Sequence, residues 1–327
     1  MEKRNTMIGM KEIAKKAGVS VSTVSNVFRN KKNVGKETRE KVLRISKELN
    51  YTPPNLSEDE VKNDANHTVL FVFSDFDRSF YLKVLKGIND YLNSRGYDLI
   101  ISTQRSCEKF MKNSITCGCI ILDAAVKNDI ILRCASENYP IIVLDRIVNS
   151  PYVKSILVDS YTPMCEIVQE LIKRGYKKYA FLGGKEDTID NQERYRAFSD
   201  TLNKNNIVFQ WKDYFSGDYR RKSGYMAAKL MTFRTDRPEV LVCANDNMAV
   251  GAIKCFRENG IKVPEDIAVT GFDDGTWAAE MDLTTIIVPD YERGYLAALY
   301  LTEALMGRGD SEIFYISTTI KWRKTTL

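Results

Sequence analysis

Charged and amide side chains stand directly behind several short apolar runs: Asp145-Arg146, Asn245-Asp246 and Asp273-Asp274, with Arg194 opening an amphipathic stretch. Guanidinium forks, carboxylates and carboxamides are the groups that grip vicinal hydroxyls. The adjacent carboxylates at 273 and 274 fit three roles: acid–base catalysis, capping of a following helix, or hydrogen bonding to a ligand. The residue pattern leaves all three open. Other catalytic equipment is sparse. The chain has one histidine, His67, and Gly183-Gly184-Lys185 lacks the spacing of a phosphate-binding loop. Cys107, Cys117 and Cys119 match no standard zinc spacing, and seven cysteines are an odd number in a chain that opens without an apolar secretion segment. Buried reduced thiols are expected, with no metal, no cofactor and no enzymatic activity.

A second group of residues suits a polyanion. Residues 1–56 hold 13 Lys/Arg against 5 Asp/Glu, a net +8, while the whole chain carries +5. A basic head on a mildly acidic body is the electrostatic footprint of a phosphate-backbone partner. Within that head Ile13, Ala14 and Ala17 fall on one face of a first helix. Gly18 follows as a residue able to take positive φ, and Ser20 is placed to cap a second helix. Val24, Val27 and Phe28 then face the first helix, leaving Val21, Ser22, Ser25 and Asn26 on the outside. These are short side chains, able to enter a major groove about 12 Å wide. A third helix over about 36–50 turns Val42, Leu43, Ile45 and Leu49 inward, and its presence makes so small a fold stable.

The elements that position the first group alternate. Apolar runs at 69–73, 98–102, 119–122, 141–145, 155–159, 179–183, 240–244, 267–271 and 285–288 are separated in several places by helix-length stretches: 80–95, 162–174, 192–205 and 247–259. Such alternation marks βαβ units on buried parallel sheets, and this many strands suit two doubly wound lobes. Ligands of such sheets bind beyond the carboxyl ends of the strands, where the polar pairs stand. No run of about 18 apolar residues exists, so no membrane span is expected. The cytoplasm is the expected compartment.

The segment from Ile13 to Ser20, Thr23-Val24-Ser25, and Glu37-Thr38-Arg39-Glu40-Lys41-Val42 followed by Leu49-Asn50-Tyr51 resemble the head of the lac repressor/galactose repressor family of transcriptional regulators. The resemblance implies a sequence-specific regulator, most simply a repressor, on a double-stranded operator. It implies base-edge contacts from Val21, Ser22 and Asn26, and phosphate contacts from Ser20, Thr23, Ser25, Asn33, Thr38 and Tyr51. Two departures stand out. The family usually carries Arg where this chain has Asn26, and Asn suits adenine rather than guanine. The stretch after Tyr51 places Glu58, Asp59 and Glu60 where the family has a hinge helix with a minor-groove leucine; the equivalent position here is Glu60 or Val61. The acidic residues would repel phosphates, which suits a tether better than a wedge.

The body is similar to the same family in Tyr179-Ala180-Phe181-Leu182-Gly183-Gly184, Glu193-Arg194-Tyr195-Arg196-Ala197-Phe198, Ala244-Asn245-Asp246-Asn247-Met248-Ala249, Val263-Pro264-Glu265-Asp266, Gly271-Phe272-Asp273-Asp274 and Leu283-Thr284-Thr285. It implies an α/β, periplasmic-binding-protein-like body of two doubly wound parallel-sheet lobes, with a sugar-like effector between them contacted by Phe80, Arg146, Arg194, Asn245 and Asp273. Tyr219 or Trp277 is a candidate second aromatic wall, with a core role the alternative for either. The domains expected are a helix-turn-helix head at 1–56, an acidic linker at 57–66 and an effector-binding and dimerisation body at 67–327. Lobe 1 then takes about 67–160 and 290–317, and lobe 2 about 161–289 and 318–327. Arg78-Ser79-Phe80 replaces the family's Asn-Pro-Phe, and the segment between Thr103 and Cys117 is shortened. No leucine heptads close the chain, so a homodimer is expected. Competing readings are a two-lobed receptor without operator binding and a regulator with a protein co-effector.

Overall fold

The computed structural model describes residues 10–28, 34–48, 67–76, 80–113 and 115–326. Three helices form the head: α1 (Met10–Ala17), α2 (Val21–Phe28) and α3 (Lys36–Glu48). Gly18 adopts φ +67°, which turns the chain between α1 and α2 and lets the Val19 amide donate to the Ala14 carbonyl at 3.1 Å. Ile13, Ala14, Ala17, Val24, Val27, Val42 and Ile45 make its core. Each valine or isoleucine buried there stabilises the head by roughly 1.5–3 kcal/mol. Leu43 corrects the expected inward set: it is 42% exposed, one position round the helix from the seam. Leu49 lies outside the described residues.

The body is two six-stranded sheets. Lobe 1 contains β1 (Thr68–Val72), α4 (Phe80–Ser94), β2 (Asp98–Ser102), α5 (Gln104–Lys112), β3 (Gly118–Ile121), α6 (Asn128–Cys134), β4 (Ile141–Val143) and β5 (Val153–Val158). The chain then builds lobe 2 from α7 (Tyr161–Lys173), β6 (Tyr179–Gly183), α8 (Ile189–Lys204), β7 (Tyr214–Ser216), α9 (Arg221–Thr232), β8 (Val240–Cys243), α10 (Asp246–Glu258), β9 (Ala268–Asp273), α11 (Thr276–Glu280) and β10 (Thr284–Ile287). It returns to lobe 1 for α12 (Asp290–Leu305) and β11 (Phe314–Ile316), and ends in lobe 2 with β12 (Thr319–Lys321). Strand order is β2-β1-β3-β4-β5-β11 in one sheet and β7-β6-β8-β9-β10-β12 in the other. Every pairing is parallel except β10 with β12. Winding reverses between β1 and β3, and between β6 and β8, so each lobe has a crevice at that point.

Each lobe also has one helix pair drawn together by glycines. A Cβ at Gly87 would land on the Tyr291 carbonyl, and one at Gly294 on the Val84 carbonyl, so α4 and α12 touch backbone to backbone. Gly224 on α9 and Gly251 on α10 do the same in lobe 2, against Met248 and Arg221. The three chain passages between lobes run side by side. Val158 pairs with Ile316, Ile287 pairs with Thr319, the Asp159 amide donates to the Ile316 carbonyl at 3.1 Å, and the Thr318 hydroxyl donates to the Asp159 carbonyl at 3.2 Å.

Candidate functional site

On the head, the Ser20 hydroxyl accepts from the Thr23 amide at 3.0 Å and caps α2, whose first turn follows directly. Its Oγ also lies 2.7 Å from the Ser22 hydroxyl and 2.8 Å from that of Thr23. Val21 is 40% exposed, Ser22 is exposed, and Thr23 and Asn26 are half-buried on the same helix. Thr38 sits half-buried in the first turn of α3. Ser25 lies on α2, with its side chain outside the description. Asn33, Tyr51, the acidic linker and Arg78-Ser79 lie outside the described residues.

In the body, Phe80 at the start of α4 meets Asn245, Asp273 and Trp277 of lobe 2 around one cleft, joined by Asp246, Asn247 and Thr276. The cleft is nearly shut, with free space of about 20 Å³. That admits about one water, well below the roughly 300–1,000 Å³ of small-molecule pockets. Two polar contacts bridge the gap: Lys83 Nζ donates to the Asp274 carbonyl at 3.2 Å, and Arg220 lies 3.8 Å from Asp75. A larger hollow of about 480 Å³ lies on the flank of lobe 2 around Gln169, Thr201 and Trp322. Its lining comes from α7, α8 and the β12 region rather than from the strand carboxyl ends.

Strand ends hold most of the cleft groups. Asn245 follows β8; its Oδ1 accepts from the Met248 amide at 3.1 Å, capping α10, and its Nδ2 donates to the Tyr219 carbonyl at 3.1 Å. Asp273 ends β9 at φ +111° and Asp274 follows at φ +49°. Positive φ is uncommon outside glycine, and here it turns this carboxylate pair out of the sheet. Asp274 Oδ1 accepts from Arg323 at 2.7 Å, so an ion pair, rather than a helix cap, holds the second carboxylate. Arg194 is buried: Nη1 donates to the Ala244 carbonyl at 2.6 Å, Nε to the Ser160 hydroxyl at 3.4 Å, and the guanidinium stacks 3.6 Å from the Phe272 ring centre. Arg146 donates to the carbonyls of Asp123 and Ala124, at 2.7 and 3.1 Å. Thus Phe80, Asn245 and Asp273 line one space, while Arg194 sits behind it and Arg146 is tied to its own lobe. Trp277 joins the cleft wall beneath Arg221, whose guanidinium is 4.4 Å from a ring centre. Tyr219 is a core residue, with its ring against Gly184 and its hydroxyl 2.7 Å from that of Thr188.

Burial dominates the electrostatics. It raises the Asp246 carboxyl to about 8, helped by Asp273, although Thr285 and the Gly275 amide donate to it at 2.6 and 2.7 Å. It raises Asp145 to about 6 against the pull of Arg146 and Arg293. Asp290 rises to about 7 for the same reason, opposed by Arg293. Sequence reasoning missed Asp290, Arg293 and Lys83, which belong to helices rather than strand ends. The only signal was two opposite charges three apart, Asp290 and Arg293, near the start of an otherwise largely apolar helix. The thiols expected to be free are so, with Cys107, Cys117, Cys119, Cys243 and Cys255 buried. Among the described residues no helix is long and apolar enough to cross a membrane, and no cluster suits a metal.

Comparison with known proteins finds matches for both the head and the body. Residues 9–54 match the bacterial regulatory proteins of the lacI family, and 168–326 match the periplasmic binding protein-like domain. The HTH-type transcriptional regulator RegA of Clostridium saccharobutylicum is 26% identical across 94% of this chain and 95% of its own. The probable HTH-type transcriptional repressor ExuR of Bacillus subtilis is 28% identical across 82% of each. Among solved structures, a lac repressor dimer bound to operator and the anti-inducer ONPF aligns at a TM-score of 0.75 and 25% identity, over 98% of this chain and 100% of that one.

Proposed function

We propose, for a chain that belongs to the LacI family of bacterial regulatory proteins, that a sugar-like effector held between its lobes sets how tightly a homodimer grips its operator. The observation that carries this is the cleft in which Phe80 of lobe 1 meets Asn245, Asp273 and Trp277 of lobe 2. An aromatic face covers the apolar side of a sugar ring, while the carboxylate and carboxamide take its hydroxyls. Arg146 and Arg194 complete the effector set. Each releases a carbonyl or turns its remaining N–H groups inward as ligand arrives. In the head, Val21, Ser22 and Asn26 read base edges, and Ser20, Thr23, Ser25, Asn33, Thr38 and Tyr51 hold phosphates. Residues 1–56 are the DNA-binding unit, 57–66 an acidic tether, and 67–327 the sensing and dimerising unit, all working in the cytoplasm without catalysis.

Lobe closure in each protomer changes the spacing of two heads that must match half-sites on one DNA face. A coupling of about 1–3 kcal/mol between cleft and head alters operator affinity roughly 5- to 150-fold. A thermal-shift screen of sugars and sugar phosphates, followed by operator titration with each hit, tests this. The hits should change operator affinity in the wild type and lose that effect in Asp273→Ala and Arg194→Ala. An unchanged response in both variants overturns the cleft assignment. Operator selection tests the head: adenine should be enriched at the base facing Asn26, and retention of guanine there refutes that contact.

A further inference from the structure

Three of the seven cysteines meet under one face of the lobe 1 sheet, away from the cleft. Cys107 on α5 and Cys119 on β3 belong to the buried cluster there, and Cys134, the last residue of α6, packs half-buried against it. Their sequence neighbours are joined: Arg133 ion-pairs with Glu108 at 3.2 Å and ties α6 to α5 beside the thiols. Cys134 is close enough that its charge opposes ionisation of Cys107, and both oppose that of Cys119.

The three differ in access and in freedom to move. Cys134 alone of them reaches solvent. Burial pushes its thiol up, while Lys112 and Arg133 draw it back against Glu108. A solvent-reaching thiol beside cations is the one an oxidant meets first. Cys119 is fixed, because β3 pairs with β1 on one side and β4 on the other. Cys107 sits on a nine-residue helix whose N-cap, Thr103, makes no side-chain bond. What ties the first turn of α5 to its surroundings is the Gln104 amide, which donates to the Ser74 hydroxyl at 3.2 Å. Within that turn the Cys107 thiol donates to the Gln104 carbonyl at 3.1 Å. Ser74 in turn donates to the Asp123 carboxylate, and the Asp123 carbonyl accepts from Arg146 at 2.7 Å.

We propose that Cys134 and Cys107 are a redox modification site, converted by a hydroperoxide into a disulfide that remodels the first turn of α5. The sulfur of Cys134 attacks the O–O bond and becomes a sulfenic acid, and its proton leaves with the alkoxide as an alcohol, or as water when the oxidant is hydrogen peroxide. The Cys107 sulfur then attacks the Cys134 sulfur; the S–O bond breaks, and hydroxide departs as water with the Cys107 proton. Two thiols together lose two electrons, and one hydroperoxide gains them. The bond removes the proton that Cys107 gives to the Gln104 carbonyl. It also draws α5 toward α6, since bonded sulfurs stand about 2 Å apart. The strand ends that carry Ser74 and Asp123 feel the change, so the fold gains an input separate from any ligand between the lobes. The bond stands or falls independently of the effector reading.

The test treats reduced full-length protein with hydrogen peroxide, alkylates it and maps its peptides by mass spectrometry without reductant, with hydrogen exchange of the α5 amides measured alongside. The expected product is a peptide pair linked through Cys107 and Cys134 within one chain and reversed by dithiothreitol. Exchange in the first turn of α5 should then quicken about threefold or more, the effect of losing one weak hydrogen bond. Cys134→Ser should show neither change. Cys107→Ala should leave Cys134 as a sulfenic acid that dimedone traps; Cys134→Ser, nearer the surface, carries the test if that buried variant does not fold. A link from Cys134 to Cys119, a link between chains on non-reducing electrophoresis, or oxidation of Cys134 beyond the sulfenic acid with Cys107 still free overturns the pairing. Unchanged exchange in fully linked protein overturns the remodelling. Equal quickening in Cys134→Ser traces it to another target such as Met111 and overturns it too. No loss of free thiols overturns the whole proposal.

Discussion

In lobe 2 the polar groups at the cleft are engaged by their own lobe: Asp246 by Thr285 and Gly275, Asn245 by Met248 and Tyr219, Arg194 by Ala244 and Ser160. In lobe 1, on the same strand order, Asp145, Asp290 and Arg293 keep polar atoms without hydrogen-bond partners. Duplicated architecture thus gives two surfaces of different character, one preorganised and one waiting for hydrogen bonds. The contrast arises after the strands: lobe 2 uses β8 and β9 ends to cap and brace, whereas lobe 1 imports charges from α12, a helix that returns late in the chain.

The likeness of the scaffolds is open to the harshest test. Gly87→Ala in lobe 1 and Gly251→Ala in lobe 2 each push a methyl into a facing carbonyl, and each should cost about 3 kcal/mol in urea unfolding. A loss under about 1 kcal/mol in either lobe would show that its helices slide apart freely, and the likeness would end there. Next is the contrast between the faces. Arg194→Met removes two buried donors and a stacked cation, for about 2 kcal/mol. Asp290→Asn removes a buried charge with unused bonding capacity and should cost less than about 0.5 kcal/mol. Equal costs would erase the distinction between the lobes.

A pH series sharpens it further. Carboxyls held above the ordinary value of about 3.9 bind protons more tightly folded than unfolded. Their contribution to stability is greatest in acid and erodes as pH rises from about 4 through the folded value. That erosion ends near 6 for Asp145, near 7 for Asp290 and near 8 for Asp246. Asp246→Asn should therefore remove most of the fall in melting temperature between pH 7 and 8 and lessen the fall below 6, which Asp145 and Asp290 share; an unaltered curve refutes the assignment. The smallest effect is expected at the bridge. Lys83→Ala and Arg220→Ala remove exposed contacts across the cleft and should each shift unfolding by less than about 1 kcal/mol.

The sequence made the head and the central strands readable because both carry strong periodicity: Ile13, Ala14 and Ala17 for α1, and the apolar runs for β1, β3, β6 and β8. The edge strands β7, β11 and β12 escaped because three residues are too few to display a strand's period. Helix α5 fills the shortened segment after Thr103 with only nine residues, and its buried residues are only Cys107 and Met111, amid charges. Of the residues lining the cleft, Asn245 and Asp273 were legible beside strand ends, while Phe80 came only from the family resemblance. That Arg146 and Arg194 spend donors on carbonyls was not, because backbone acceptors leave no mark in a sequence. Leu43 misled because one apolar residue beside a helical seam looks like part of it.

The cord of three passages joining the lobes carries a dynamical consequence. Because Val158, Ile316, Thr319 and Ile287 continue the ladders of both sheets through the joint, shearing or twisting one lobe against the other would tear several main-chain bonds at once. Rotation of φ and ψ at residues 159, 288 and 317 is the cheap coordinate. A swing about these three residues is therefore the motion that the joint permits at least cost.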